Sequence, residues 1–92
     1  MIMKSNPMKT IWKFQLELKG LQNISIPEGA EILSCSTHNC GIYMWALVDP
    51  SLPLQRREIE MIGTGNEVPE EERKYISTIK DGLRVWHVFE LL

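Results

Sequence analysis

The chain has 92 residues, enough for one hydrophobic core and too few for two. Its 10 basic and 12 acidic side chains give a net charge of −2, a poor footprint for a polyphosphate backbone, so binding to long nucleic acid is not favoured and no such partner is expected. No apolar run approaches the ~20 residues of a membrane-spanning helix, and the opening MIMKSNP lacks the apolar stretch of a secretory signal. A protein of the cytoplasm is expected.

Residues 1–7 carry no periodicity and read as a disordered tail, with a single β domain over residues 8–92. From Thr10 the pattern TIWKFQLEL sets Trp12, Phe14, Leu16 and Leu18 on one face against Lys13, Gln15 and Glu17 on the other, the period-2 signature of a strand with one wet side. Lys19-Gly20 breaks it. Ile24 and Ile26 then alternate briefly before a turn at Pro27-Glu28-Gly29. Ala30–Thr37 alternates loosely, and His38-Asn39-Cys40-Gly41 reads as a tight hairpin loop in which Gly41 takes the positive φ.

That loop leads into Ile42–Val48, IYMWALV, the only stretch apolar at every position. As a strand it sets Ile42, Met44, Ala46 and Val48 on one face and Tyr43, Trp45 and Leu47 on the other. It is expected in the middle of a sheet, paired antiparallel with Ile32–Thr37, and covered on both flanks by a second sheet, a curled wall or another copy of the protein. Asp49-Pro50 stops it.

After Leu52-Pro53 the segment RREIEMI alternates Arg57, Ile59 and Met61 with Glu58, Glu60 and Ile62, a strand with one charged side suited to a sheet edge. Ile62-Gly63-Thr64-Gly65 lacks the glycine fingerprint and the lysine of a phosphate loop and reads as a turn or bulge. Pro69 followed by Glu70, Glu71 and Glu72 marks the start of one short helical turn. Tyr75–Ile79, an Asp81-Gly82 turn and Arg84–Phe89 form a second hairpin. The expected fold class is therefore all-β: a small antiparallel sandwich or open barrel of about six to seven strands with at most one short helical turn.

The segments MKTIWKF (Met8–Phe14), IPEGAEILS (Ile26–Ser34), WALVDP (Trp45–Pro50), IGTG (Ile62–Gly65) and HVFE (His87–Glu90) resemble a family of short uncharacterised proteins of tailed bacteriophages and bacterial genomes, a domain of unknown function. The resemblance runs over nearly the whole chain from Met8. It implies a phage or prophage origin, a place in the bacterial host cell and a non-enzymatic accessory role, and it brings no site residues. The family's hairpin is more polar and lacks Cys35, His38 and Cys40 as a set, so the resemblance assigns those three no essential role.

Cys35, His38, Cys40 and His87 supply ligand atoms for zinc, but no C-x-x-C pair is present and the hairpin separates them, so no metal or other cofactor is expected. No pair of groups makes a convincing acid and base, and the expectation is a non-enzyme. The combination that remains is basic and aromatic. Arg57 and Arg84 offer forks for phosphate, Tyr43, Trp45, Trp86 and His87 offer faces for a base, and a small nucleotide is the ligand these six would take. The doubly apolar strand points to a homo-oligomer. Two functions of different class follow: an oligomer that sequesters a nucleotide or nucleotide signal of host defence, or a module that binds a host or virion protein through a sheet edge or the Trp12–Leu18 surface.

Overall fold

The computed structural model describes residues 8–92, so the tail expected over residues 1–7 lies outside the described residues. Seven strands follow one another: β1 Thr10–Leu16, β2 Leu21–Pro27, β3 Glu31–His38, β4 Gly41–Val48, β5 Leu54–Gly63, β6 Arg73–Asp81 and β7 Arg84–Leu91. They form two antiparallel sheets, a three-stranded one in the order β1-β4-β3 and a four-stranded one in the order β2-β5-β7-β6. The sheets face each other as a small sandwich that does not close into a barrel. β3 and β6 lie edge to edge, tied by the Ser77 hydroxyl donating to the Cys35 carbonyl at 2.8 Å. Among the described residues β1 and β2 are left as the free edges.

The core lies where the two inner faces meet. Ile42, Met44, Ala46 and Val48 of β4 pack with Leu16, Cys35, Ile26, Ile59, Met61, Ile79 and Val88. β4 is the middle strand of its sheet, as its composition requires, with Cys35 opposite Met44 on one side and Phe14 opposite Met44 on the other. Its second flank differs from expectation: Tyr43, Trp45 and Leu47 alternate as half-buried residues on the outer face, and among the described residues no further strand packs over them as a layer. Their neighbours supply the partial cover, Lys13 holding its ammonium 4.7 Å from the centre of the Tyr43 ring and Trp45 tilting against Tyr43 at 6.3 Å. Snorkelling lysine and a neighbouring aromatic thus shield a face that no second sheet reaches.

β5 is interior rather than an edge. Two of its four charges meet an opposite charge: Glu60 pairs with Arg73 of β6 at 3.0 Å, and Arg57 points inward to Glu90 of β7. Gly65 at φ +92 closes the turn from Gly63 to Asn66, whose amide donates to the Gly63 carbonyl. The helical turn expected at Pro69–Glu72 is absent, and geometry gives the reason. β5 ends beside Val85, where the Thr64 amide donates to its carbonyl, whereas β6 begins opposite Leu91. The connection must run back along β7, a distance of about 20 Å at the strand rise of ~3.3 Å per residue. With Gly63–Asn66 taken up by the turn, residues 67–72 span that only when largely extended, since a helix rises ~1.5 Å per residue. The link passes over the outer face, where the Pro69 carbonyl accepts from Arg73, Arg73 lies over the Phe89 ring, and Ile62 becomes buried.

Both hairpin turns are two residues long. In the first the left-handed residues are Asn39 (φ 48) and Cys40 (φ 65), which is a type I′ turn. Gly41 is not among them. It serves close packing instead, because a Cβ there would sit 2.7 Å from Cε2 of Tyr43. Cysteine is costly in the left-handed region, so Cys40→Gly, giving Asn-Gly at the same positions, is expected to raise stability by roughly 0.5–1 kcal/mol, read as a higher urea midpoint at unchanged slope. In the second hairpin Gly82 (φ 60) takes the first central position, followed by Leu83.

Candidate functional site

The six residues singled out from the sequence fall in four places. Tyr43 and Trp45 lie on the outer face of the three-stranded sheet. His87 lies on the outer face of the four-stranded sheet, with Nε2 2.8 Å from Thr64 Oγ1 and Nδ1 3.1 Å from Thr78 Oγ1, and Tyr75 extends the chain of hydroxyls to Thr78 at 2.6 Å. With both ring nitrogens engaged, His87 fixes Thr64 and Thr78 rather than facing an apolar layer.

Arg57 is committed to the interior. Its Nε and Nη2 donate to the two carboxylate oxygens of Glu90, and Nη1 donates to the Ala30 carbonyl just before β3, so one guanidinium ties β5, β7 and the opposite sheet. Side-chain exposures of 18% and 7% leave the pair mostly out of water. The hydrogen bond to Glu90 holds the Arg57 pKa above its ordinary value.

Arg84 and Trp86 do converge. With Gly63, Thr64, Asn66, Leu83 and Val85 they line an open cleft of about 510 Å³ between the end of β5 and the β6–β7 hairpin. Each lining residue is placed by a local rule. Trp86 stands opposite Gly63 in the β5–β7 ladder, where a side chain would be tight: a Cβ there would lie 3.3 Å from the indole and 3.0 Å from the Asn66 side-chain nitrogen. The turn at Gly65 brings Asn66 beside it. The two-residue turn after Asp81 sets Arg84 at the start of β7 with its side chain exposed, next to a fully exposed Leu83. The cleft thus offers one fixed positive charge, an indole, a hydroxyl already oriented by His87, and a carboxamide.

Trp86 carries a further feature. Its Nε1 is buried and has no hydrogen-bond partner among the described residues. A buried donor left unpaired costs roughly 1–3 kcal/mol. The residues missed by sequence reasoning are Gly63, Thr64 and Asn66. Their signal was the IGTG-Asn turn, which reads as punctuation unless one knows which strand pairs with β5.

Among the described residues, no three His, Cys, Asp or Glu side chains are grouped to hold a metal, and no helix is long and apolar enough to cross a membrane. Cys35 is buried in the core and Cys40 exposed at the hairpin tip, both as free thiols. Burial pushes the Cys35 thiol from 9.0 up to about 12. The unfolded chain therefore loses this proton first, and stability falls as pH rises from 9 towards 12, by up to roughly 1.4 kcal/mol per pH unit, and is untouched below. Cys35→Ala should flatten this alkaline limb, measured as the difference in urea midpoint between the two proteins from pH 8 to about 10.5.

A pair of antiparallel sheets, with no helix among the described residues and an Arg–Trp cleft at one end, makes this a small β-sandwich protein. The chain belongs to the family described as a domain of unknown function (DUF7352), whose model matches residues 8–92. No curated protein and no solved structure matches it.

Proposed function

We propose that the protein is a non-enzymatic accessory protein of phage origin, working in the bacterial cytoplasm as an oligomer that sequesters a small nucleotide, such as a signal of host defence. The observation that carries this reading is the convergence of Arg84 and Trp86, from one strand, on a single open cleft with Thr64 and Asn66. Guanidinium suits a phosphate, indole suits a base, and the hydroxyl and carboxamide suit the sugar and base edges. A cleft of this volume falls in the ordinary range for small-molecule sites. The phage origin and the accessory role rest on the family resemblance of the quoted segments.

Calorimetric titration against linear and cyclic mono- and dinucleotides is the test. Micromolar binding by at least one member is expected, weakened tenfold or more by Trp86→Ala, in line with about 1–3 kcal/mol per stacked base. Arg84→Ala should weaken phosphorylated ligands and leave the matching nucleosides unchanged. Heat absent across the panel, with the protein folded, overturns the reading.

A second reading, a module acting on a host or virion protein, is favoured by the uncovered Tyr43–Trp45–Leu47 flank, extended by Ile11 at 56% exposure beside Leu47. It predicts a stoichiometric protein partner lost in Trp45→Lys and kept in Trp86→Ala.

A further inference from the structure

Of the two free edges, β1 and β2, only one is guarded. β1 has Lys9 just before it and Lys13 at its centre, the usual device against edge-to-edge pairing. β2, Leu21–Pro27, has no charged side chain, no bulge in its register with β5, and no proline before its last residue. Among the described residues its outward edge meets no other strand. We propose that it meets β2 of a second copy of this chain, antiparallel about a two-fold axis at Ile24, so that two four-stranded sheets become one continuous sheet of eight. This deepens the oligomer part of the reading above and is independent of the ligand.

The register argues for that partner. With Ile24 opposite the partner's Ile24, Ser25 stands opposite the partner's Asn23. Ser25 pairs with Arg56 in its own sheet, and Asn23 pairs with Glu58. One row on the outer face therefore reads Arg56, Ser25, the partner's Asn23, the partner's Glu58, and symmetry repeats it. Opposite charges flank two short polar residues, and the long side chains lean over them towards each other. Two rows away, Leu21 stands opposite the partner's Pro27, which pairs with the partner's Leu54. Leu21 is 50% and Leu54 62% exposed in the single chain, and the pairing sets them on either side of that proline. On the inner face the half-buried Ile24 gains its own copy as cover. The outer-face rows thus match polar with polar and apolar with apolar, while on the inner face the buried Gln22, already bonded to the Glu17 backbone, falls opposite the buried Ile26 of the partner subunit.

Sedimentation equilibrium of the full chain is expected to give twice the 10.6 kDa protomer mass at tens of micromolar. Ile24→Lys, which sets two ammonium groups against each other on the axis, should weaken the dimer at least tenfold. Arg56→Glu and Glu58→Arg should each weaken it without touching the core, and the double exchange should restore it. Trp45→Lys, on the opposite sheet, should leave it unchanged. A monomer at several hundred micromolar overturns the proposal. So does a dimer indifferent to Ile24→Lys and to both charge reversals, or one abolished by Trp45→Lys, which would move the interface to the other sheet. Nucleotide binding by a wild-type monomer would overturn the β2 interface and leave the ligand reading standing.

Discussion

Glu90→Ala is expected to destabilise the fold by roughly 3–5 kcal/mol, the range for removing one member of a buried ion pair. The reason is what remains behind. Arg57 keeps its hydrogen bond to the Ala30 carbonyl but loses both carboxylate contacts while 18% exposed, and a guanidinium cannot discharge itself by deprotonation. A domain of this length has about 5–15 kcal/mol in hand, so the loss should lower the midpoint of thermal unfolding by about 12 °C or more. Arg57→Ala should do comparable damage, whereas the double variant Arg57→Met/Glu90→Leu should lie within about 1 kcal/mol of the parent or above it, because the desolvation cost disappears with the charges. The Arg57 pKa is raised in the fold, so its share of stability is complete below the ordinary arginine range and is lost only above it. Alkaline weakening below pH 12 therefore cannot be assigned to this pair. If the double variant is as unstable as Glu90→Ala, the pair is more than a tie, and its register-setting role between β5, β7 and Ala30 becomes the better explanation.

This pair marks where sequence reasoning stops. The alternation of Arg57, Ile59 and Met61 set arginine on the same face as the core, and the expectation of a solvent or ligand role arose because its partner, Glu90, lies 33 residues away on a strand whose neighbour was unknown. Local rules carried the rest of the fold a long way. The period-2 faces of β1 and β4, the Pro27–Gly29 turn and both hairpins needed only side-chain type and turn chemistry. What they could not carry was sheet order. β5 looks like an edge until Arg73 is seen to neutralise Glu60, and the Glu70–Glu72 run looks helical until the link is required to span the length of β7. The cleft suffered likewise: Arg84 and Trp86 were legible as chemistry, but Gly63 and Asn66 join them through a cross-strand pairing that the linear order conceals.

β4 provides the sharpest contrast between neighbours that look alike in sequence. Met44 is fully buried against Phe14 and Cys35, and Met44→Ala is expected to cost roughly 2–5 kcal/mol from lost burial and the cavity left behind. Trp45, the larger and more apolar side chain, stands half-buried on the outer face, beside Tyr43 and opposite Lys13 and Ser34. Trp45→Ala should cost about 1 kcal/mol, the scale of an aromatic cross-strand contact. Urea unfolding of both variants decides the matter, with equal slopes and clearly separated midpoints as the expected result. The comparison should be run at low and high protein concentration, because the penalty at Trp45 is tied to the assembly. If the proteins pair only through β2, that penalty stays the same at every concentration. A Trp45 penalty that climbs towards that of Met44 as the protein is concentrated means a second body covers the outer flank, and the apolar character of that face is then explained by association rather than by the shielding of Lys13 and Tyr43.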